Sequence, residues 1–261
     1  MEQLNQVTMK KIFYLFTILS CFVLTACGGD DDEPQVSYQD ITLACKKTHT
    51  IKGDAVWTSS NKFIASVSGN VVTAERVGEA TISSSKGTFK VKVTPTVSVY
   101  KEPYLKWGAS KSSVKSFMSG ATIEQEKSDQ LVYKGTGALI NTIYHFENSG
   151  LKASGLTLDG DYINPETLME QMLQYYLPVT MDEVNYSFYF ATPDKKTAAM
   201  LKLNDYDGSI CYIILYAPIS GSNAEKYRAA SFDFKTIESA IGITNTGNHS
   251  EKFNEMKNLL F

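Results

Sequence analysis

The feature that most restricts how this chain can fold is a recurrence in its second half. A helix signal is followed by three strand signals, and the same order then repeats. The first helix signal covers 110–118, with Ser110 as its cap and Val114, Phe117 and Met118 on one face. Strand signals follow at 131–133, 140–146 and 155–158. Asn164 then caps a second helix with Pro165 at its first position, and Leu168, Met169, Met172, Leu173 and Tyr176 make its apolar stripe. Strand signals at 186–192, 197–203 and 209–217 complete the second round, the last two joined by Asn204-Asp205-Tyr206-Asp207-Gly208, a good hairpin turn. An offset of about 55 residues brings Val114 to Met169, Leu131 to Tyr186, Ile143 to Ala198 and Leu156 to Cys211. The pattern recurs while the residues themselves mostly differ. It predicts an antiparallel sheet with both helices against one face, an α+β layer, its other face exposed or covered by the tail. In that tail, Phe253, Met256, Leu259 and Leu260 fall at helical spacing, as expected for core packing.

Upstream the signals are different. Short strands are expected at 41–43, 55–58, 64–67, 71–74, 80–83 and 89–93, separated by turns such as Ser68-Gly69-Asn70 and Lys86-Gly87. Phe89-Lys90-Val91-Lys92-Val93 alternates strictly, the mark of a strand with one buried face. Strands at this spacing predict a small β-sandwich, with Trp57 as its core aromatic. The series Val56-Trp57-Thr58-Ser59-Ser60-Asn61, Ile64-Ala65-Ser66-Val67, Gly69, Val72-Thr73-Ala74 and Gly78-Glu79-Ala80-Thr81-Ile82 resembles the bacterial immunoglobulin-like domain, group 2. It departs from that pattern at its short opening strand and at Cys45-Lys46-Lys47. The resemblance implies a spacer or adhesive module. The character of the sequence changes at Thr94-Pro95-Thr96, a linker.

The first residues form a targeting segment. Lys10 and Lys11 precede an apolar run from Ile12 to Leu24, too short for a membrane span but suited to a signal peptide. Met9, directly before the two lysines, would itself make a conventional start in place of Met1. Leu24-Thr25-Ala26-Cys27 resembles the lipobox of bacterial lipoproteins. That resemblance implies a diacylglyceryl thioether on Cys27, cleavage after Ala26 and acylation, typically by palmitate, of the new amino terminus; two or more chains anchor stably where one does not. Gly28-Gly29-Asp30-Asp31-Asp32-Glu33-Pro34 makes a solvated tether. It also resembles the acidic signal that sends lipoproteins of one group of Gram-negative bacteria to the cell surface. The expected organisation is therefore 1–26 signal peptide, 27–35 lipidated acidic tether, 36–95 immunoglobulin-like all-β sandwich, and 96–261 α+β domain with two pseudo-repeats and a C-terminal helix. The expected location is the outer membrane, lipid-anchored and facing the exterior.

Candidate chemistry is sparse. Cys21 leaves with the signal and Cys27 is lipidated, so Cys45 and Cys211 remain, expected as buried free thiols in different domains. His49, His145 and His249 are scattered and read as structural; no metal-ligand spacing, nucleophile elbow or phosphate loop is present. Asp205-x-Asp207-Gly208 fails as a calcium loop because Leu203 stands at the first ligand position. Asp159-Gly160-Asp161 reads as a turn in which Gly160 would take a positive φ. A net charge of −3 gives no reason to expect nucleic acid. Tyr104-Leu105-Lys106-Trp107-Gly108-Ala109-Ser110, followed by Val114, resembles the opening of the β-lactamase-inhibitor-like fold shared by small outer-membrane assembly lipoproteins. This implies protein binding on a concave sheet. The expectation is a non-enzymatic binding or accessory protein, without catalytic residues, metal or cofactor, that reads a protein partner. The alternatives are a glycan-binding accessory protein of an uptake system, for which some of the 15 tyrosines would line an open face, and an envelope structural protein or hydrolase.

Overall fold

The computed structural model describes residues 38–206, 208–219, 238 and 247–260, all within one compact unit spanning Val36–Phe261. The expected signal segment, Cys27 and the acidic run lie outside the described residues. The described chain is β-rich, with fifteen strands and three helices, and its sheets are antiparallel apart from one parallel pairing.

The N-terminal lobe has two sheets. One has the order β1 (Ile41–Ala44), β7 (Gly87–Thr94), β6 (Gly78–Ser84), β3 (Thr58–Ser59); the other is β2 (Thr48–Thr50), β5 (Val71–Ala74), β4 (Ala65–Ser68). Both supply one core: Ala65, Val72 and Ala74 from the smaller sheet meet Ile82, Phe89, Val91 and Val93 from the larger. The alternation in β7 behaves as read, with Phe89, Val91 and Val93 buried and Thr88, Lys90 and Lys92 outside. Trp57 is buried among aromatics, 4.9 Å from the Tyr38 ring and 5.8 Å from Phe89. Gly87, at φ 153°, has to be glycine because a Cβ there would stand 2.7 Å from the Tyr38 ring. The short opening strand β1 pairs parallel with β7, and the departing Cys45 is buried in the turn that follows it.

The C-terminal lobe is built on one eight-stranded antiparallel sheet. Its chain order is α1 (Lys111–Phe117), β8 (Ile123–Glu126), β9 (Gln130–Lys134), β10 (Leu139–Glu147) and β11 (Gly150–Asp159). There follow α2 (Pro165–Tyr175), β12 (Leu177–Asp182), β13 (Ser187–Ala191), β14 (Thr197–Tyr206), β15 (Ser209–Pro218) and α3 (Ser250–Lys257). Each of the first two helices is thus followed by four strands, one more than expected. The spatial order, β12-β13-β14-β15-β11-β10-β9-β8, is palindromic about the ten-residue strands β11 and β15, which pair antiparallel from Ser154↔Tyr216 to Asp159↔Cys211. The two strands that were not anticipated, β8 and β12, are the outer edges.

Helix boundaries follow the capping residues. Ser110 and Asn164 accept from the backbone N–H groups of Ser113 and Thr167, and Pro165 opens α2. Both helices lie on one face of the sheet. Val114 of α1 packs against Leu131, Tyr133, Tyr144 and Phe146; Leu168, Met169 and Met172 of α2 pack against Leu156, Leu158, Phe188, Phe190 and Tyr216. α3 joins them, with Phe253 stacked 4.4 Å from Phe188. Of the apolar face expected for α1, Val114 is buried and Met118 partly so, but Phe117 is 39% exposed. On the other face, Ala198, Met200, Cys211, Ile213 and Leu215 are buried, and Lys202 meets Glu238 at 2.6 Å. Its centre is therefore not an open docking surface.

Helix α2 fastens both the connecting segment that follows the first lobe and the first lobe itself. Gln171 Oε1 accepts from the backbone N–H groups of Val99 and Tyr100, and its Nε2 donates to the Tyr100 carbonyl at 2.9 Å. Gln174 Oε1 accepts from Thr96 N at 2.6 Å, and the Gln174 carbonyl accepts from Val77 N at 2.7 Å. Arg76 Nε donates to the Tyr176 carbonyl at the helix end. Gln171→Leu would leave two buried backbone groups of Tyr100 and the part-buried N–H of Val99 without this partner, so it should lower unfolding stability by about 3 kcal/mol in urea titration. A loss under about 0.5 kcal/mol would show that this stitching contributes little.

Candidate functional site

The three histidines stand apart. His49 is exposed on β2, His145 is half-buried on β10, and His249 is buried with Nε2 3.4 Å from Asp205 Oδ1. No group of three or more metal-ligating side chains occurs among the described residues. Cys45 and Cys211 are buried free thiols, as expected. Burial raises both; for Cys211, with Asp205 and Asp159 adding to it, the pKa is pushed up to about 12. Such thiols stay protonated and are poor nucleophiles. Asp159 forms the expected turn by accepting from Asp161 N, but Gly160 does not take a positive φ. It is needed instead for close approach, since a Cβ would stand 2.6 Å from the Ile210 carbonyl oxygen.

The sheet tyrosines sit deeper than their polar tips suggest. Tyr133, Tyr144, Tyr212 and Tyr216 all face the helices and are fully buried. Among the described residues, Tyr162, in the turn before α2, is the strongly exposed tyrosine at 79%. Three buried tyrosines surround one carboxyl group. Tyr176 donates to Glu102 Oε2 at 2.6 Å, Tyr216 donates to Tyr100 at 3.0 Å, and Tyr100 points at Met172 Sδ at 3.1 Å. Glu102 Oε1 is shut from solvent without a partner. Burial raises the carboxyl to about 7, against the opposing pull of the tyrosine hydroxyls, while the hydroxyls themselves are pushed upward and remain donors. This cluster fastens the segment between β7 and α1 onto α2 and β15.

Two recesses open where the lobes meet, bracketing the corner between α2 and β12. The first, about 310 Å³, is lined by Lys46, Glu75, Glu166, Met169, Glu170, Leu173, Gln174 and Leu259. It is acid-rich, with Lys46 3.7 Å from Glu170 and Glu75 accepting from Ser66. The second, about 300 Å³, is apolar: Phe63, Leu177, Pro178, Val179 and Ala191 wall it, with Lys195 at its edge. Neither contains a nucleophile beside a base, and both are shaped to receive side chains or a small ligand. None of the family models, curated proteins and solved structures compared with this chain matches it.

Sequence spacing could not have found these recesses. Phe63 and Glu75 come from turns of the first lobe, Gln174 from α2 and Lys195 from the β13–β14 turn, and only folding brings them to the junction.

The Glu102 carboxyl gives a pH test. The folded chain holds this proton to about 7, whereas an ordinary glutamate releases it near 4.5. Folded protein therefore binds more protons across that window, and stability falls as pH rises through it. Glu102→Gln should remove this loss and stabilise the protein at pH 8 by up to about 3 kcal/mol, read from urea midpoints at pH 5 and pH 8. An identical loss in both proteins would contradict the assignment.

Proposed function

We propose that this protein is a lipid-anchored, surface-displayed binding protein without catalytic activity, in which a rigid two-lobed body reads a protein partner. The observation that carries the reading is the lobe junction, where hydrogen bonds lock the lobes together and leave two recesses of opposite character. Recognition needs preformed concave surfaces held on rigid elements, and a freely hinged stalk would not supply them. Inward-facing tyrosines and protonated thiols fit a role in recognition better than one in chemistry.

On this reading the first lobe is a bacterial immunoglobulin-like domain of group 2, supported by its two-sheet core around Trp57. The second is a β-lactamase-inhibitor-like α+β body of two pseudo-repeats. Its support is the palindromic sheet order and the shared face of α1 and α2. The four-strand count makes the pseudo-repeats more alike than the sequence suggests. The anchor is Cys27, acylated behind the lipobox and followed by the acidic tether, which places the body outside the outer membrane.

Cys27→Ala should abolish labelling by an alkyne fatty-acid analogue and release the chain from the membrane fraction. External protease should digest the wild-type protein on intact cells. Continued labelling and membrane attachment of the variant would contradict the anchor; protection from protease would place the body inside the envelope.

A further inference from the structure

We propose that residues 96–104 form a proton-gated strap. It lies closed on α2 and β15 while Glu102 carries a proton, and lifts away when that carboxyl ionises, with the sheets left folded. This holds whatever the protein binds, so it does not rest on the binding role. The chain from 95 to 110 has neither strand nor helix, so no ladder of its own holds it down. Side chains of other elements hold it instead. Gln174 Oε1 accepts from Thr96 N, and Gln171 brackets Tyr100 through its N–H and its carbonyl. The Tyr144 hydroxyl accepts from Tyr104 N at 3.2 Å, and Ser154 Oγ donates to the Tyr104 carbonyl at 2.7 Å. A segment tied at separate points by side chains can open as a unit without breaking the sheet beneath it.

Among these fasteners Glu102 is the one whose charge changes near neutral pH. Its Oε2 accepts from Tyr176 at 2.6 Å, but Oε1 is shut from solvent with no partner. Among the described residues, the titratable side chains that face it are tyrosines: Tyr100 from the strap, Tyr175 and Tyr176 at the end of α2, and Tyr216 from β15. No lysine or arginine among them pairs with it. Lys101 Nζ lies 5.1 Å from the Phe117 ring centroid, and Arg76 donates to the Phe63 and Tyr176 carbonyls beside Glu75. A carboxylate formed here is therefore desolvated, with one oxygen bare and no cation to offset it. Outside it would be hydrated, and moving outside means lifting the strap.

The direction of the response follows from proton binding. Burial pushes the closed carboxyl up to about 7, whereas an ordinary glutamate releases its proton near 4.5. The closed form keeps the proton across that window, so the open form gains on it as pH rises. Tyr176 limits the effect, because its hydroxyl donates to the carboxylate and opposes burial. Opening also withdraws Thr96 from Gln174, which lines the acid-rich recess, and so couples pH to the lobe junction.

Hydrogen exchange on the full chain tests this, read by mass spectrometry at pH 5 and pH 8 and corrected for intrinsic amide rates. In the wild type, protection of 96–104 should fall at least about tenfold from pH 5 to pH 8. At pH 8 the strap should also exchange at least about tenfold faster than β15, because it opens without the sheet. Glu102→Gln, uncharged at both values, should keep its protection constant. Tyr176→Phe removes the donor that steadies the carboxylate, so its loss between the two values should exceed that of the wild type. A strap as protected as β15 at pH 8, an unchanged wild type, or an equal fall in Glu102→Gln would each overturn the proposal. So would Tyr176→Phe lowering protection equally at both values, the mark of a purely structural tie.

Discussion

Helix α2 is the element on which the rest of the molecule depends, because it satisfies backbone groups that nothing else could reach. Gln171 and Gln174 are nearly completely buried, and both spend their side-chain oxygens on the segment leaving the first lobe. A buried backbone N–H without a partner costs on the order of 1–3 kcal/mol, so this arrangement dictates the path of the connecting chain. The same helix presents Leu168, Met169 and Met172 to the sheet on its other side. Its C-terminal carbonyls receive Val77 and Arg76 from the first lobe. One helix therefore ties two separate cores into one body.

That body has a functional consequence. Lobes with independent cores joined at Thr94-Pro95-Thr96 would ordinarily swing, and any cleft between them would change shape. Here the corner from Tyr176 to Leu177 is pinned, so the recesses on either side keep their walls. The buried Glu102 and its tyrosines extend the fastening to β15. The centre of the sheet's second face is buried, and both edge strands are poor templates for pairing: β12 carries Pro178 and a bulge, and β8 carries Glu124 and Glu126 with a bulge of its own. Among the described residues the junction holds two recesses, and these are the concave surfaces on which the proposed binding role relies.

Much of the fold was legible in the sequence wherever one face of an element is buried. Phe89, Val91 and Val93 announce β7, and Asn164 with Pro165 announces α2, since alternation and capping are local signals. The edge strands were not legible for the same reason. All four residues of β8 are exposed, so no alternation marks it, and Pro178 argues against a strand at β12 until it is known to be an edge. β11 was foreseen only from Gly155 onward because Leu151 to Ser154 mixes Lys152 and small residues that become buried only beneath neighbouring elements. The junction was illegible because Phe63, Arg76, Gln174 and Lys195 carry no mutual spacing. Glu102, between a lysine and a proline in a linker, gives no hint of its three tyrosines.

The most direct measurement is photo-crosslinking on living cells, with a benzoylphenylalanine placed in turn at Phe63, Val56 and Tyr162. All three positions are exposed, but only Phe63 lines the junction. The account predicts one discrete adduct from position 63 and none from the other two. Adducts of the same partner from position 56 or 162, with none from 63, would contradict it and place recognition elsewhere on the molecule.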